Sequence, residues 1–280
     1  MFVKLTLKFW LRLNQFKVFV NKIRVIEVSS VNVLGMDASN FFALSEQISE
    51  QIMIRLSSLE DWGKADGHPG QYKHDVIADE IATPQLIAAG LGVFSEESPP
   101  TGLDKSFIAI IDPIDGSTNA NLGLPWYALS LCLVHSGEAI ASFVKNLATG
   151  ETFIAEIGSG AEKNGKKILV SGVRDIGDAV VVLNDLPTKH FGWRQYRSLG
   201  SAALDLCKVA DGSFDAFVDM GEGLALWDYA GAALICEEAG AKITDSRSNP
   251  ISYALSTGRS QLVCAGSDEL HNTILSLMSD

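Results

Sequence analysis

The sequence lacks any apolar run approaching the roughly 18 uncharged residues that a membrane-spanning helix needs, so no spanning helix is expected. Its four cysteines, Cys132, Cys207, Cys236 and Cys264, include no C-x-x-C pair. Its five histidines, His68, His74, His135, His190 and His271, form no H-x-x-x-H or Cys/His cluster. A structural zinc site is thereby disfavoured, and any metal would be held by oxygen. Three of the cysteines lie in apolar runs (SLCLV, LDLCKVA, ALICEEA), as reduced, buried thiols of a cytoplasmic protein do. Positive charge is also scarce. Twenty-two Lys and Arg against 34 Asp and Glu leave a net charge of -12, which argues against a nucleic-acid partner. What remains is an ordinary globular composition, 47% apolar and 20% charged, long enough at 280 residues to bury a sizeable core.

The first 35 residues differ from the rest. Lys4, Lys8, Arg12, Lys17, Lys22 and Arg24 stand against Glu27 alone, a net charge of +5 that leaves -17 for the remainder. A secretory signal is a poor match, because no apolar core is followed by a small-residue cleavage site. The arm reads as disordered or as an over-extended start ahead of Met36. A basic segment lying on a membrane surface is the minor alternative.

From Met36 the pattern is regular. Phe41, Phe42, Leu44, Ile48, Ile52 and Leu56 recur at helical spacing, a loop is expected over 61–75, and a second helix over 76–90 is disturbed by Pro84. LGVFSEES and SFIAII read as strands, the second delivering Asp112 at its end. A hairpin is expected at Ser136-Gly137-Glu138, with shorter strands over ETFIAEIGSGAEKNGKKILVS. The last third alternates strand and helix: VVVLND, SAALDLCKVADG, FDAFVDM, WDYAGAALICEEAG, then the strands AKITD and QLVCAG.

Acids gather where ligands usually bind, at strand and helix ends. Glu96 and Glu97 follow GVFS, Asp112 and Asp115 follow FIAII, and Asp228 opens a helix. Each has a plain explanation as a solvated turn, a Pro/Asp/Gly turn or an N-terminal helix acid. Together, a stiff D-P-I-D turn offers two carboxylates and the Ile114 carbonyl, a hard-cation ligand set. Gly116, Ser117 and Thr118, opening a helix, would offer amides to a phosphate. Metal-binding acids beside a phosphate cradle describe phosphoryl transfer.

These segments resemble the inositol monophosphatase-like family of Mg²⁺-dependent, lithium-sensitive phosphatases. FIAIIDPIDGSTN resembles its first motif and WDYAGAALICEEAG its second, with SEES, GAEKNGKKILVS and SLGSAALDLCKVADGSFDAFVDMG between and around them. The likeness runs from about residue 40 to about 270. It implies a layered α/β fold, a five-layer α-β-α-β-α sandwich shared with fructose-1,6-bisphosphatase, commonly as a homodimer. It also implies one catalytic domain over 36–280, with a metal-binding half to about 180 and a C-terminal half beyond. Two or three Mg²⁺ ions would be held by Glu96, Asp112, the Ile114 carbonyl, Asp115 and Asp228, with Asp112 bridging. Ser117 and Asp79 would take the place of the family's Thr–Asp pair that orients the attacking water. Glu97 and Lys73 join them as catalytic candidates, Lys64 competing with Lys73 as the loop lysine. Gly200, Ser201, Ala202 and Asp219 would meet substrate hydroxyls.

The pattern departs from the family in four places. Ser117 stands for Thr, Ser95 for a Gly, the segment before Asp79 is short, and the loop 221–226 is long and without His. The resemblance implies hydrolysis of a small phosphorylated metabolite, inositol 1-phosphate first, with a role in phosphatidylinositol phosphate biosynthesis. Histidinol phosphate, fructose 1,6-bisphosphate and 3′-phosphoadenosine 5′-phosphate are alternatives on the same fold, as is a non-catalytic polyol-phosphate-binding relative.

Overall fold

The computed structural model describes residues 36–66 and 70–279; the arm over 1–35, and every reading of it above, lies outside the described residues. Helix α1 (Ala38–Ser57) starts where Asp37 accepts a 2.8 Å hydrogen bond from the Asn40 amide, an N-cap, and it buries Phe41, Ile48, Ile52 and Leu56. Helix α2 (Lys73–Ala88) begins three residues earlier than the periodicity suggests and runs through Pro84. Pro84 lies on the exposed side, where water can reach the carbonyl it leaves unpaired.

Strands β1 (Gly92–Ser95) and β2 (Phe107–Asp115) are parallel neighbours. The short helix α3 (Ser117–Asn121) follows β2. Then β3 (Ala128–His135), β4 (Glu138–Asn146), β5 (Thr152–Glu156), β6 (Gly160–Lys163) and β7 (Lys166–Lys167) complete a seven-stranded sheet in chain order, all antiparallel beyond β2. The β3–β4 turn is the expected one. Ser136 and Gly137 both take positive φ, 53° and 83°, as a two-residue hairpin turn demands.

A second, five-stranded sheet contains β8 (Val180–Asn184), β9 (Gln195–Arg197), β10 (Ala216–Asp219), β11 (Lys242–Asp245) and β12 (Leu262–Ala265), in the order β11-β12-β10-β8-β9. Its helices are α4 (Ala202–Ala210), α5 (Leu226–Glu238) and α6 (Asp268–Ser279). Three apolar clusters define the layering. One joins α1 and α2 to the first sheet, the largest packs α4 and α5 between the two sheets, and the third sets α6 on the outer face of the second sheet. The fold is thus the expected α-β-α-β-α sandwich. Helix α6 and strand β9 were not anticipated. The residues of β9 are all exposed, so it carries no buried-strand pattern.

Two local features place the site. The D-P-I-D segment is not a turn that ends the strand. Strand β2 continues through it, with Asp112 opposite Ser130 and Asp115 opposite Ala128, so three residues advance against two. This is a β-bulge, a position that tolerates Pro113 because the ladder is interrupted there. On the other side of the sheet pair, a Cβ on Gly231 would lie 2.6 Å from Ser130 Oγ, so only glycine lets α5 approach β3 this closely. Asp228 lies three residues earlier on the same helical face, and Ser130 pairs with Asp112. The close approach therefore brings Asp228 to Asp112. Among the described residues no helix is long and apolar enough to cross a membrane.

Candidate active site

Carboxylate oxygens of Glu96, Asp112 and Asp228 lie within 4.8 Å of one another. They come from the end of β1, the bulge of β2 and the first turn of α5. Asp112 is buried, and its Oδ1 accepts a 2.9 Å bond from the Ile114 amide, which fixes its rotamer inside the bulge. Asp228 Oδ2 accepts from the Ala225 amide at 2.7 Å, so it also caps α5. Glu96 as a residue is exposed, but its carboxylate reaches inward to the other two.

Such crowding of acids raises their pKa values. Burial, then the charges of Asp228 and Glu97, push Glu96 up to about 8. Burial, then Glu96, Asp115 and Asp228, raise Asp112 well above the usual carboxylate range. Burial lifts Asp228 to about 6, against the Ala225 hydrogen bond and the charge of Arg259. Glu97 rises to about 7 through burial and then the charge of Asp75, while its bond from Gln71 opposes the rise. Several oxygens with destabilised negative charge, converging from separate elements, fit a divalent cation.

Asp115 is placed differently. It is buried, and it accepts hydrogen bonds from the Ser201 hydroxyl and from the Ala203 and Ala202 amides at 2.9 and 3.3 Å. Burial pushes it to about 7 even so. Ser201 and Ala202, expected to meet substrate, here tie the start of α4 to Asp115, and the Gly200 carbonyl accepts from Asn119 instead. Asn119 adds a clamp, its side-chain amide donating to the carbonyls of Leu199, Trp126 and Gly200 at 2.7, 2.9 and 3.2 Å. Gly116, at φ 90°, sits beneath this clamp; a Cβ there would meet the Trp126 carbonyl oxygen at 2.8 Å. The first amides of α3, at Ser117 and Thr118, have no acceptor within that helix.

The expected Ser117–Asp79 pair is not formed. Ser117 Oγ donates to the Ile114 carbonyl at 2.9 Å, within its own turn. Asp79 Oδ1 accepts from Ser95 at 2.7 Å and Thr83 at 2.9 Å. Ser95, the departure from Gly, thus anchors Asp79, and its Oγ also accepts from the Glu97 amide at 3.2 Å. The carboxylate linked to Ser117 through a shared neighbour is Asp75. Buried His74 donates from Nε2 to the Ser117 carbonyl at 3.1 Å, and the same nitrogen lies 3.3 Å from Asp75 Oδ1. That oxygen has no hydrogen-bond partner, although Oδ2 accepts from the Tyr72 amide at 2.8 Å.

Lys73 is committed elsewhere, to a salt bridge with Asp61. The lysine whose charge reaches the site is Lys64, which acts on Glu97 and stacks 3.4 Å over the Tyr72 ring. Asp219 is fully buried; its Oδ1 accepts from the Gly221 amide and Asn184 at 3.0 and 3.1 Å, and its Oδ2 is unpartnered. Sequence reasoning missed His74, Asp75 and Arg259. Only Asp75 had a visible signal, as an acid in the first turn of a helix.

Residues 73–280 match the sequence profile of the inositol monophosphatase family. A protein of Archaeoglobus fulgidus named fructose-1,6-bisphosphatase/inositol-1-monophosphatase is 32% identical over 256 residues, covering 87% of this chain and all of its own length. A Rhizobium meliloti inositol-1-monophosphatase is 34% identical over 188 residues, covering 61% of this chain and 68% of its own. The solved structure of a Thermotoga maritima IMPase superposes with a TM-score of 0.73 at 26% identity, covering 85% of this chain and 96% of that one.

Proposed function

The chain belongs to the inositol monophosphatase family of phosphoric monoester hydrolases, and we propose that it hydrolyses a small phosphate monoester with Mg²⁺, inositol 1-phosphate first. The observation that carries this is the convergence of Glu96, Asp112 and Asp228 within 4.8 Å, with every pKa in the cluster raised. Asp115 and the Ile114 carbonyl complete the set that would hold the ions. When bound, they supply positive charge against the phosphoryl oxygens.

The chain's own groups do the rest. The Ser117 hydroxyl, its proton committed to the Ile114 carbonyl, presents lone pairs that orient an attacking water. Asp75, rather than Asp79, takes the base role, because its Oδ1 accepts no hydrogen bond and lies 3.3 Å from the His74 nitrogen that holds the Ser117 carbonyl, while Asp79 is occupied by Ser95 and Thr83. Glu97, lifted to about 7, is suited to exchange a proton near neutral pH. The unpartnered Oδ2 of Asp219 is the acceptor for a substrate hydroxyl.

Fructose 1,6-bisphosphate is the second reading, favoured by the name of the Archaeoglobus fulgidus relative. The test is phosphate release from inositol 1-phosphate, fructose 1,6-bisphosphate, histidinol phosphate and 3′-phosphoadenosine 5′-phosphate side by side, with and without Mg²⁺. Release is expected to need Mg²⁺ and to collapse in Asp115→Asn. Full activity of that variant in metal-free buffer refutes the metal-site reading, and calorimetric binding without turnover points to a non-catalytic role.

A further inference from the structure

The loop that carries the chain from Asp219 to Asp228 does not stand alone. Leu224 and Ser260 exchange amide–carbonyl hydrogen bonds of 2.9 Å in both directions. The Gln261 side-chain amide donates to the Gly221 carbonyl at 2.6 Å, and Arg259 Nη1 donates to the Gly223 carbonyl at 2.8 Å. Gly223, at φ 93°, would set a Cβ 3.0 Å from the Ser260 backbone, so the two segments touch as closely as chains can. The loop and the 259–261 segment are therefore one unit, and Arg259 is held in register with Asp219 and Asp228.

Arg259 is exposed, and among the described residues no carboxylate lies within 4.0 Å of it. Its anchor is a neutral carbonyl that uses one of five N–H donors. Its charge nevertheless reaches Asp228 and Asp219, opposing the burial that raises both. Once Asp228 is neutralised by a cation, this wall of the site presents a fixed guanidinium with its remaining donors unspent. A planar fork of that kind recognises a phosphate or carboxylate by paired hydrogen bonds.

We propose that Arg259 is a specificity-determining residue that grips a second anionic group of the substrate, a phosphate distal to the one being hydrolysed. This rests on the phosphatase reading above and deepens its second substrate, fructose 1,6-bisphosphate, by naming the side chain that would meet the distal phosphate. Inositol 1-phosphate is then a substrate that leaves this contact unused. The loop length and the missing His in 221–226 acquire a reason: the loop is built to carry the arginine from the neighbouring segment.

The experiment compares fructose 1,6-bisphosphate with p-nitrophenyl phosphate, which has no second anion, using the full chain with Mg²⁺. Arg259→Ala is expected to lower kcat/KM for the bisphosphate by about tenfold or more, chiefly through KM, and to leave p-nitrophenyl phosphate within about threefold. Arg259→Lys, keeping charge without the fork, falls between, and thermal midpoints of both variants check that the loop is intact. Equal losses on the two substrates, or a bisphosphate rate indifferent to Arg259, overturn the inference and leave the phosphatase reading standing. No release from either substrate by the unaltered protein overturns that reading and this inference with it.

Discussion

Replacing Asp228 with asparagine separates what its carboxylate costs from what it does. In the metal-free protein Asp228 is pushed from an ordinary 3.8 up to about 6, with Arg259 and the Ala225 amide already counted in its favour. At about 1.4 kcal/mol per pKa unit this is about 3 kcal/mol of destabilisation once the group is ionised. Its partial exposure screens that to about 1–2 kcal/mol. The sign follows from linkage. A folded-state pKa above the unfolded value gives stability that is whole below pH 3.8 and is lost as pH rises through 6. Asparagine keeps an oxygen for the Ala225 amide, so the cap survives. The variant is therefore expected to melt higher than the unaltered protein in chelator at pH 8, by about 3–6 °C for a domain of this size. Near pH 4 the two should coincide. Added Mg²⁺ should raise the unaltered protein's midpoint and leave the variant's unmoved. Thermal denaturation by fluorescence from pH 4 to 9, with chelator or Mg²⁺, reads all three effects. A variant that melts lower than the unaltered protein by the same amount at pH 4 and pH 8 refutes the reasoning, because Asp228 would then be a helix cap and no more.

The reassignment of the base predicts a contrast between two aspartates on α2. Asp75→Asn should cut kcat by about 10²-fold or more with little change in KM, as loss of a general base does. Asp79→Asn should act mainly on stability, by about 1–3 kcal/mol in urea denaturation, because Ser95 and Thr83 lose a charged acceptor; the opposite pattern restores Asp79 to the base role. Gly116→Ala should lower the thermal midpoint and abolish turnover together, since its positive φ and the Trp126 carbonyl at 2.8 Å leave a Cβ no room. A soluble, active Gly116→Ala protein would show that the turn relaxes without consequence.

Much of the site was legible because its residues are neighbours along the chain. In D-P-I-D-G-S-T-N the proline, the acids and the glycine are read directly, and the flanking run Phe107–Ile111 is apolar enough to read as a strand. The bulge was not legible, since whether a strand ends at Asp112 or continues through Asp115 depends on the partner β3. Helix α6 is not legible in the sequence because only Leu270, Ile274, Leu275 and His271 are buried in it, among many polar residues. The loop offers Lys64 and Lys73 alike as the lysine the family resemblance implies, and the pairing of Lys73 with Asp61 is decided by how the loop folds.

Composition, periodicity and the two acid-bearing motifs by themselves pointed to the layered α/β class and to Glu96, Asp112 and Asp228 as acids at strand and helix ends, an oxygen set suited to a hard cation. These are local properties: a strand pattern, a helix start, a carboxylate at the end of each. Only the tertiary structure decided which acids share a site and which are already engaged. Gly231 against Ser130 brings Asp228 to Asp112, Ser95 ties up Asp79, His74 joins Asp75 to Ser117, and the Leu224–Ser260 pair carries Arg259 to the site. Apart from the adjacent His74 and Asp75, each of these contacts spans residues far enough apart that no periodicity records it, and depends on packing distances set by the whole core.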